Sequence, residues 1–289
     1  MRSVFAAIVL VGLLSGCSDD RANIRPSVPL SAEYVVRGRE IVTGLGACGY
    51  CHGAASDPAA PLSGGRVHYD LYGAIAAANL TPAKSGLADW EARDVIKAFR
   101  SRVDREGSQL SPEMHKGMEW IADRDLLAIV AYLRTLAPVE NTVEARSVSF
   151  ISRNTTGFFE GSVDLRGFIP TVDARNQSAY GRYLVNNLAR CTACHNTPAT
   201  LISAEGLLTG GASVKTSKGE KTAPDITASG VFGIGEWSED AIVHYLRSGE
   251  TPDRKRVDPA FCPVNFYTNA AEQDLRAIAV YLKSVGAVK

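Results

Sequence analysis

The hydrophobic pattern of this chain runs through the same cycle twice. Residues 123–136 carry Leu126, Leu127, Val130 and Leu133 at helical spacing, and residues 272–285 carry Leu275, Ile278, Ala279 and Leu282 in the same way. Tyr132-Leu133 in the first stretch returns as Tyr281-Leu282 in the second. Upstream, Trp90 and Trp237 each precede a predicted helix, and Gly64-Gly65 returns as Gly210-Gly211. Asn79-Leu80-Thr81-Pro82 is echoed by Pro224-Asp225-Ile226-Thr227. No stretch alternates convincingly with a period of two. The expected class is therefore all-α, with each copy reading helix, loops, helix, helix. Two copies are too few for a solenoid and read as a tandem duplication.

The first 16 residues stand apart. Arg2 is followed by an apolar run from Val4 to Leu14, too short to span a bilayer, and then by Ser15-Gly16-Cys17. The layout is that of an export signal, and small residues before a Cys resemble a bacterial lipobox. The expectation is a signal at 1–16, a lipid on Cys17, a polar tether over 17–31, and a mature protein held on the periplasmic side of a bacterial membrane. The repeats are expected at 32–138 and 178–289. Residues 139–177, polar but with Phe150, Phe158, Phe159 and Phe168, are expected to form an ordered connector. Lys plus Arg (31) balances Asp plus Glu (31), so the chain has no basic footprint for nucleic acid.

The chemistry lies in the cysteines. Cys48-Gly49-Tyr50-Cys51-His52 and Cys191-Thr192-Ala193-Cys194-His195 are both Cys-x-x-Cys-His, the c-type haem attachment signal. Two such motifs by chance have a probability on the order of one in a million at this composition. Two intervening residues place both thiols on one helical turn, where they can bond to the vinyl groups of one porphyrin. The following His supplies the proximal imidazole. A zinc site made from both pairs leaves the two His unexplained, and a redox dithiol lacks a βαβ context. Two covalently bound haem c groups are expected, on Cys48, Cys51 and His52 and on Cys191, Cys194 and His195.

With these motifs, the glycines ten residues before each (Gly38 and Gly181), the Thr-Pro loop, the Trp helices and the Tyr-Leu helices, the chain resembles a tandem pair of class I cytochrome c domains. It is most similar to the multi-haem cytochrome subunits of periplasmic alcohol and aldehyde dehydrogenases. Those subunits commonly carry three haems, and this sequence has two motifs. The resemblance implies that the first and last helices of each domain cross at the Gly, against an aromatic near Tyr132 or Tyr281. It also implies a sixth iron ligand from a Met before the last helix. Met114, in Pro112-Glu113-Met114, is similar to the family's Pro-x-Met; Met118 and His115 are the alternatives. The Trp offset of 147 carries Met114 to Phe261, which cannot ligate iron, next to Cys262. The second haem is left with Cys262, an open or water-bound position, or another group such as His244 or Asn265. His68, and the runs 100–102 and 254–256, are read as loop and surface features that could also face propionates or steer an acidic partner.

The functional expectation is electron transfer. Electrons would arrive from a periplasmic dehydrogenase subunit and leave to another cytochrome or a terminal oxidase. The alternative is a di-haem enzyme, peroxidase-like or thiosulfate-oxidising, with the second haem as reactive site.

Overall fold

The computed structural model describes residues 31–70, 72–108, 110–144, 167–199 and 203–286. The expected signal, all but the last residue of the tether, and 145–166 of the connector lie outside the described residues.

Each repeat begins with a helix that widens into a π-helical turn and then meets a short helix carrying the motif. In the first repeat these are α1 (Ala32–Glu40), the turn Ile41–Leu45 and α2 (Cys48–His52). A hairpin of β1 (Val67–Asp70) and β2 (Gly73–Ala76) follows, then α3 (Ala92–Ser101), α4 (Pro112–His115) and α5 (Asp123–Leu133). The second repeat runs α6 (Gln177–Tyr183), the turn Leu184–Leu188, α7 (Thr192–His195), β3 (Ser213–Thr216), β4 (Gly219–Thr222), α8 (Glu239–Ser248), α9 (Val264–Tyr267) and α10 (Glu272–Ser284).

The expected all-α class is therefore wrong. Each repeat holds a two-stranded antiparallel hairpin, Val67 opposite Ala76 in one and Ser213 opposite Thr222 in the other. The strands are four residues long and pair only with each other, so neither buries a continuous apolar face. Val67 and Tyr69 point outward, and β4 is exposed along its whole length. A period-two signal needs a buried face to enforce it, and these strands have none.

The first and last helices of each repeat cross at a glycine. A Cβ built on Gly38 would lie 1.9 Å from the Ala128 carbonyl oxygen and 2.7 Å from Tyr132 Cβ. On Gly181 it would lie 1.9 Å from the Ala277 oxygen and 2.7 Å from Tyr281 Cβ. Backbone meets backbone at both crossings, and only glycine permits it. Helix starts are fixed locally. Glu91 and Asp94 form a reciprocal capping box on α3, and Ser238 Oγ accepts from Ala241 N at 3.1 Å on α8.

The repeats share one core. Ile41, Val42, Leu126 and Ile129 belong to the same buried cluster as Leu184, Val185, Leu275 and Ile278. A polar network crosses this contact. Arg37 donates to Asp125 Oδ1 (3.0 Å), Asp274 Oδ2 (3.1 Å) and the Tyr180 hydroxyl (3.1 Å). Tyr180 donates to Asp274 at 2.9 Å, and Tyr183 donates to Asp125 at 2.8 Å. Burial works against the Arg37 charge, but Asp125, Tyr180 and Asp274 together outweigh it and hold the guanidinium firmly protonated.

Both described ends of the connector pack on the first repeat. Glu140 accepts from the backbone N–H of Lys84 (3.0 Å) and Ser85 (3.1 Å), and the Ile169 carbonyl accepts from Asp123 N at 3.0 Å.

Candidate functional site

The two motifs are built alike. The residue before each first cysteine adopts the left-handed conformation, Ala47 at φ 42° and Arg190 at φ 49°. Its carbonyl accepts the bond that opens the motif helix, from Tyr50 N at 2.8 Å and from Ala193 N at 2.9 Å. None of the five described cysteines is in a disulfide. Burial pushes Cys48 and Cys191 up to about 12 and raises Cys51 and Cys194 as well. A redox dithiol needs a thiolate stabilised near neutral pH, and these sites do the opposite.

The histidines are oriented for a metal. His52 Nδ1 lies 2.7 Å from the Ala78 carbonyl oxygen, and His195 Nδ1 lies 2.8 Å from that of Pro224. Burial pushes both rings below the ordinary imidazole range, so they are neutral. A neutral imidazole that donates from Nδ1 to a carbonyl has its lone pair on Nε2, the arrangement of an iron ligand with an orienting partner behind it. The glycine pair holds that partner in place. Gly64 N donates to His52 O at 2.8 Å, and Gly210 N donates to His195 O at 2.6 Å. A Cβ on Gly64 would come within 2.6 Å of the Ala78 carbonyl carbon, and one on Gly210 within 2.6 Å of that of Pro224. Sequence reading found the glycines but not the carbonyls, because a backbone acceptor leaves no trace in residue type. Two thiols on one turn and a neutral, tethered imidazole fit one haem c at each motif.

Beside the first motif, His68 bonds to the Cys51 backbone, and its buried Nε2 has no hydrogen-bond partner among the described residues. Met114 is half-buried on α4, its N–H 3.5 Å from Ser111 Oγ. Its neighbour His115 is half-buried with Nδ1 3.0 Å from Ser111 O, and desolvation, with Arg190 and His52 nearby, pulls it down to about 3. Met118 is packed into the shared core. In the second repeat the equivalent pair divides. Lys221 sits over the Phe261 ring, while Cys262 faces Cys191, Cys194 and Tyr245. Burial pushes the Cys262 thiol up to about 12. His244 is exposed on α8, and Asn265 donates to Ala55 O of the first repeat at 3.0 Å. Arg100, read as part of a surface run, is buried and pairs with Asp123 and Glu119 O.

The ligand-side loops also reach across between repeats. Tyr50, inside the first motif, donates to Ala260 O. Arg190, at the second motif, donates to Met114 O. Asn187 Nδ2 donates to Gly117 O at 2.9 Å, and Asn269 Nδ2 donates to Thr43 O at 3.1 Å. A cleft of about 840 Å³ lined by Arg39, Asp57, Tyr132 and Asn269 opens beside these contacts and includes none of the motif residues.

The cytochrome c family model matches residues 35–137, the stretch that contains the first motif and its crossing helices. Residues 35–137 are a cytochrome c domain. The full chain is 28% identical to the gluconate 2-dehydrogenase cytochrome c subunit of Pantoea cypripedii, over 99% of this chain and 66% of that one. It is 29% identical to the fructose dehydrogenase cytochrome subunit of Gluconobacter japonicus, over 97% of this chain and 59% of that one. It is also 29% identical to a diheme cytochrome c-type protein of Cereibacter sphaeroides, over 84% of this chain and 83% of that one. The chain thus spans about three-fifths to two-thirds of the length of the two dehydrogenase subunits. It is homologous to such subunits, and its cofactor is covalently bound haem c.

Proposed function

We propose that this cytochrome is a two-haem electron-transfer protein serving a dehydrogenase on the periplasmic side of a bacterial membrane. The observation that carries the reading is the matched pair of His Nδ1 bonds, to Ala78 O and Pro224 O, each beside a half-buried Cys pair. Haem bound at each motif supplies a reversible ferric–ferrous couple. Cys48 and Cys51, and Cys191 and Cys194, would hold the two groups, with His52 and His195 as proximal ligands. Met114 would supply the thioether that favours the ferrous state at the first. Cys262, near Cys191 and Cys194, would be the candidate ligand for the second. The names of the relatives support a dehydrogenase donor, and the lipobox-like Cys17 supports a membrane tether.

Phe261, at the place equivalent to Met114, favours a second reading for that centre. A phenyl ring offers iron no lone pair, which fits an open position able to take peroxide or a sulfur anion. Electron paramagnetic resonance of the oxidised holoprotein, with Cys262→Ala beside it, separates the two. Two low-spin ferric signals, one of them lost in the variant, fit the electron-transfer reading with thiolate ligation. A high-spin signal already present in the wild type points to an open, reactive centre.

A further inference from the structure

Arg190 is the point at which the second haem motif takes hold of the first haem's ligand loop. Its backbone carbonyl opens α7, the helix that carries Cys194 and His195. Its side chain runs the other way. The Cγ lies 4.0 Å from where a Cβ on Gly117 would stand, and the guanidinium donates to the carbonyl of Met114. One residue therefore belongs to both centres. The first repeat has Ala47 at the equivalent place with nearly the same backbone, φ 42° against 49°, so the side chain is an addition and not a requirement of the turn. An Arg in the left-handed region carries a backbone cost that Gly or Asn would largely avoid. The charge stands close enough to act on the thiols of Cys51 and Cys194 and on His115.

We propose that Arg190 is a positioning residue that holds the Met114 loop over the first haem and, by its charge, raises the reduction potentials of both centres. The proposal rests on the two-haem reading above. A fixed cation opposes the extra positive charge of ferric iron, so removing it favours the ferric state. A charge-assisted bond to the Met114 carbonyl fixes the loop next to the ligand without occupying the thioether.

The test compares holoprotein from wild type, Arg190→Leu, Arg190→Lys and Met114→Ala. It reads the far-red absorption of thioether-bound ferric haem, the two midpoint potentials, and the rate of carbon monoxide binding to ferrous protein. Arg190→Leu is expected to weaken the far-red band, lower both potentials, and speed carbon monoxide binding roughly tenfold, the factor equivalent to losing one such hydrogen bond. Arg190→Lys, which keeps the charge but not the fork, is expected to restore the potential of the second centre and leave the band weakened and, with it, the potential of the first lowered. Arg190→Leu with a full band and a carbon monoxide rate within about twofold of wild type overturns the proposal. Met114→Ala tests the ligand separately. If it leaves the band unchanged, Met114 is not the ligand, and the carbon monoxide rate still decides whether Arg190 holds the loop. Should Arg190→Leu fail to take up haem, Arg190→Lys decides by the band: weakened, it supports the proposal, and at full strength it overturns it.

Discussion

Arg37 and Tyr180 stand at equivalent positions of the two repeats, 143 residues apart, and the guanidinium of one donates to the hydroxyl of the other at 3.1 Å. Around them, Asp125 and Asp274 occupy equivalent places at the starts of α5 and α10. The duplication has become an interface between its own copies, in which one copy supplies the cation and the other the phenol.

Replacing Arg37 with Leu leaves two buried carboxylates facing each other without their cation. The expected cost is about 3 kcal/mol, the range for breaking one side of a buried charge network. Denaturant unfolding followed by haem absorbance and by tryptophan fluorescence checks it. The two probes are expected to coincide in the wild type and to separate in the variant, as the repeats come apart.

Gly181→Ala forces a methyl into the Ala277 carbonyl, and Gly38→Ala forces one into that of Ala128. No flexible side-chain end is available to move, so the helix pair must open. A loss of about 2–4 kcal/mol is expected at either site, read as a lower midpoint in thermal unfolding of the holoprotein.

His68 gives the fold a pH dependence. Burial pulls its pKa down to about 4, against an ordinary value of 6.5. Between those values the unfolded chain binds the proton and the folded one does not, so this contribution is complete above pH 6.5 and falls away as pH drops toward 4. Urea midpoints measured at pH 7.5 and pH 5 are expected to differ less in His68→Phe than in the wild type. An equal difference contradicts the assignment.

Cys51→Ala and Cys194→Ala each leave one thiol to hold a haem. The expected products retain haem through the other thioether but show the shifted reduced spectrum of a singly attached group in the pyridine assay. Identical spectra for variant and wild type would remove the cysteine in question from the attachment.

Much of this was legible in the residues. The motifs, the crossing glycines and the two terminal helices carry their signal in residue type and spacing, because covalent chemistry and close packing accept few alternatives. The hairpins were not legible, since Val67-His68-Tyr69-Asp70 and Ser213-Val214-Lys215-Thr216 have no buried face to impose alternation. Nor were the Ala78 and Pro224 carbonyls, which any residue could supply. Nor was the role of Arg190, whose reach to Met114 depends on how the two copies pack.

The central claim is that both repeats carry a working one-electron centre. A potentiometric titration of the intact holoprotein, followed optically and counted against protein, tests it most directly. The account predicts two reversible one-electron steps per chain, superimposable in the oxidative and reductive directions. A single one-electron step per chain would contradict it, as would a second haem that fails to reoxidise along the same curve.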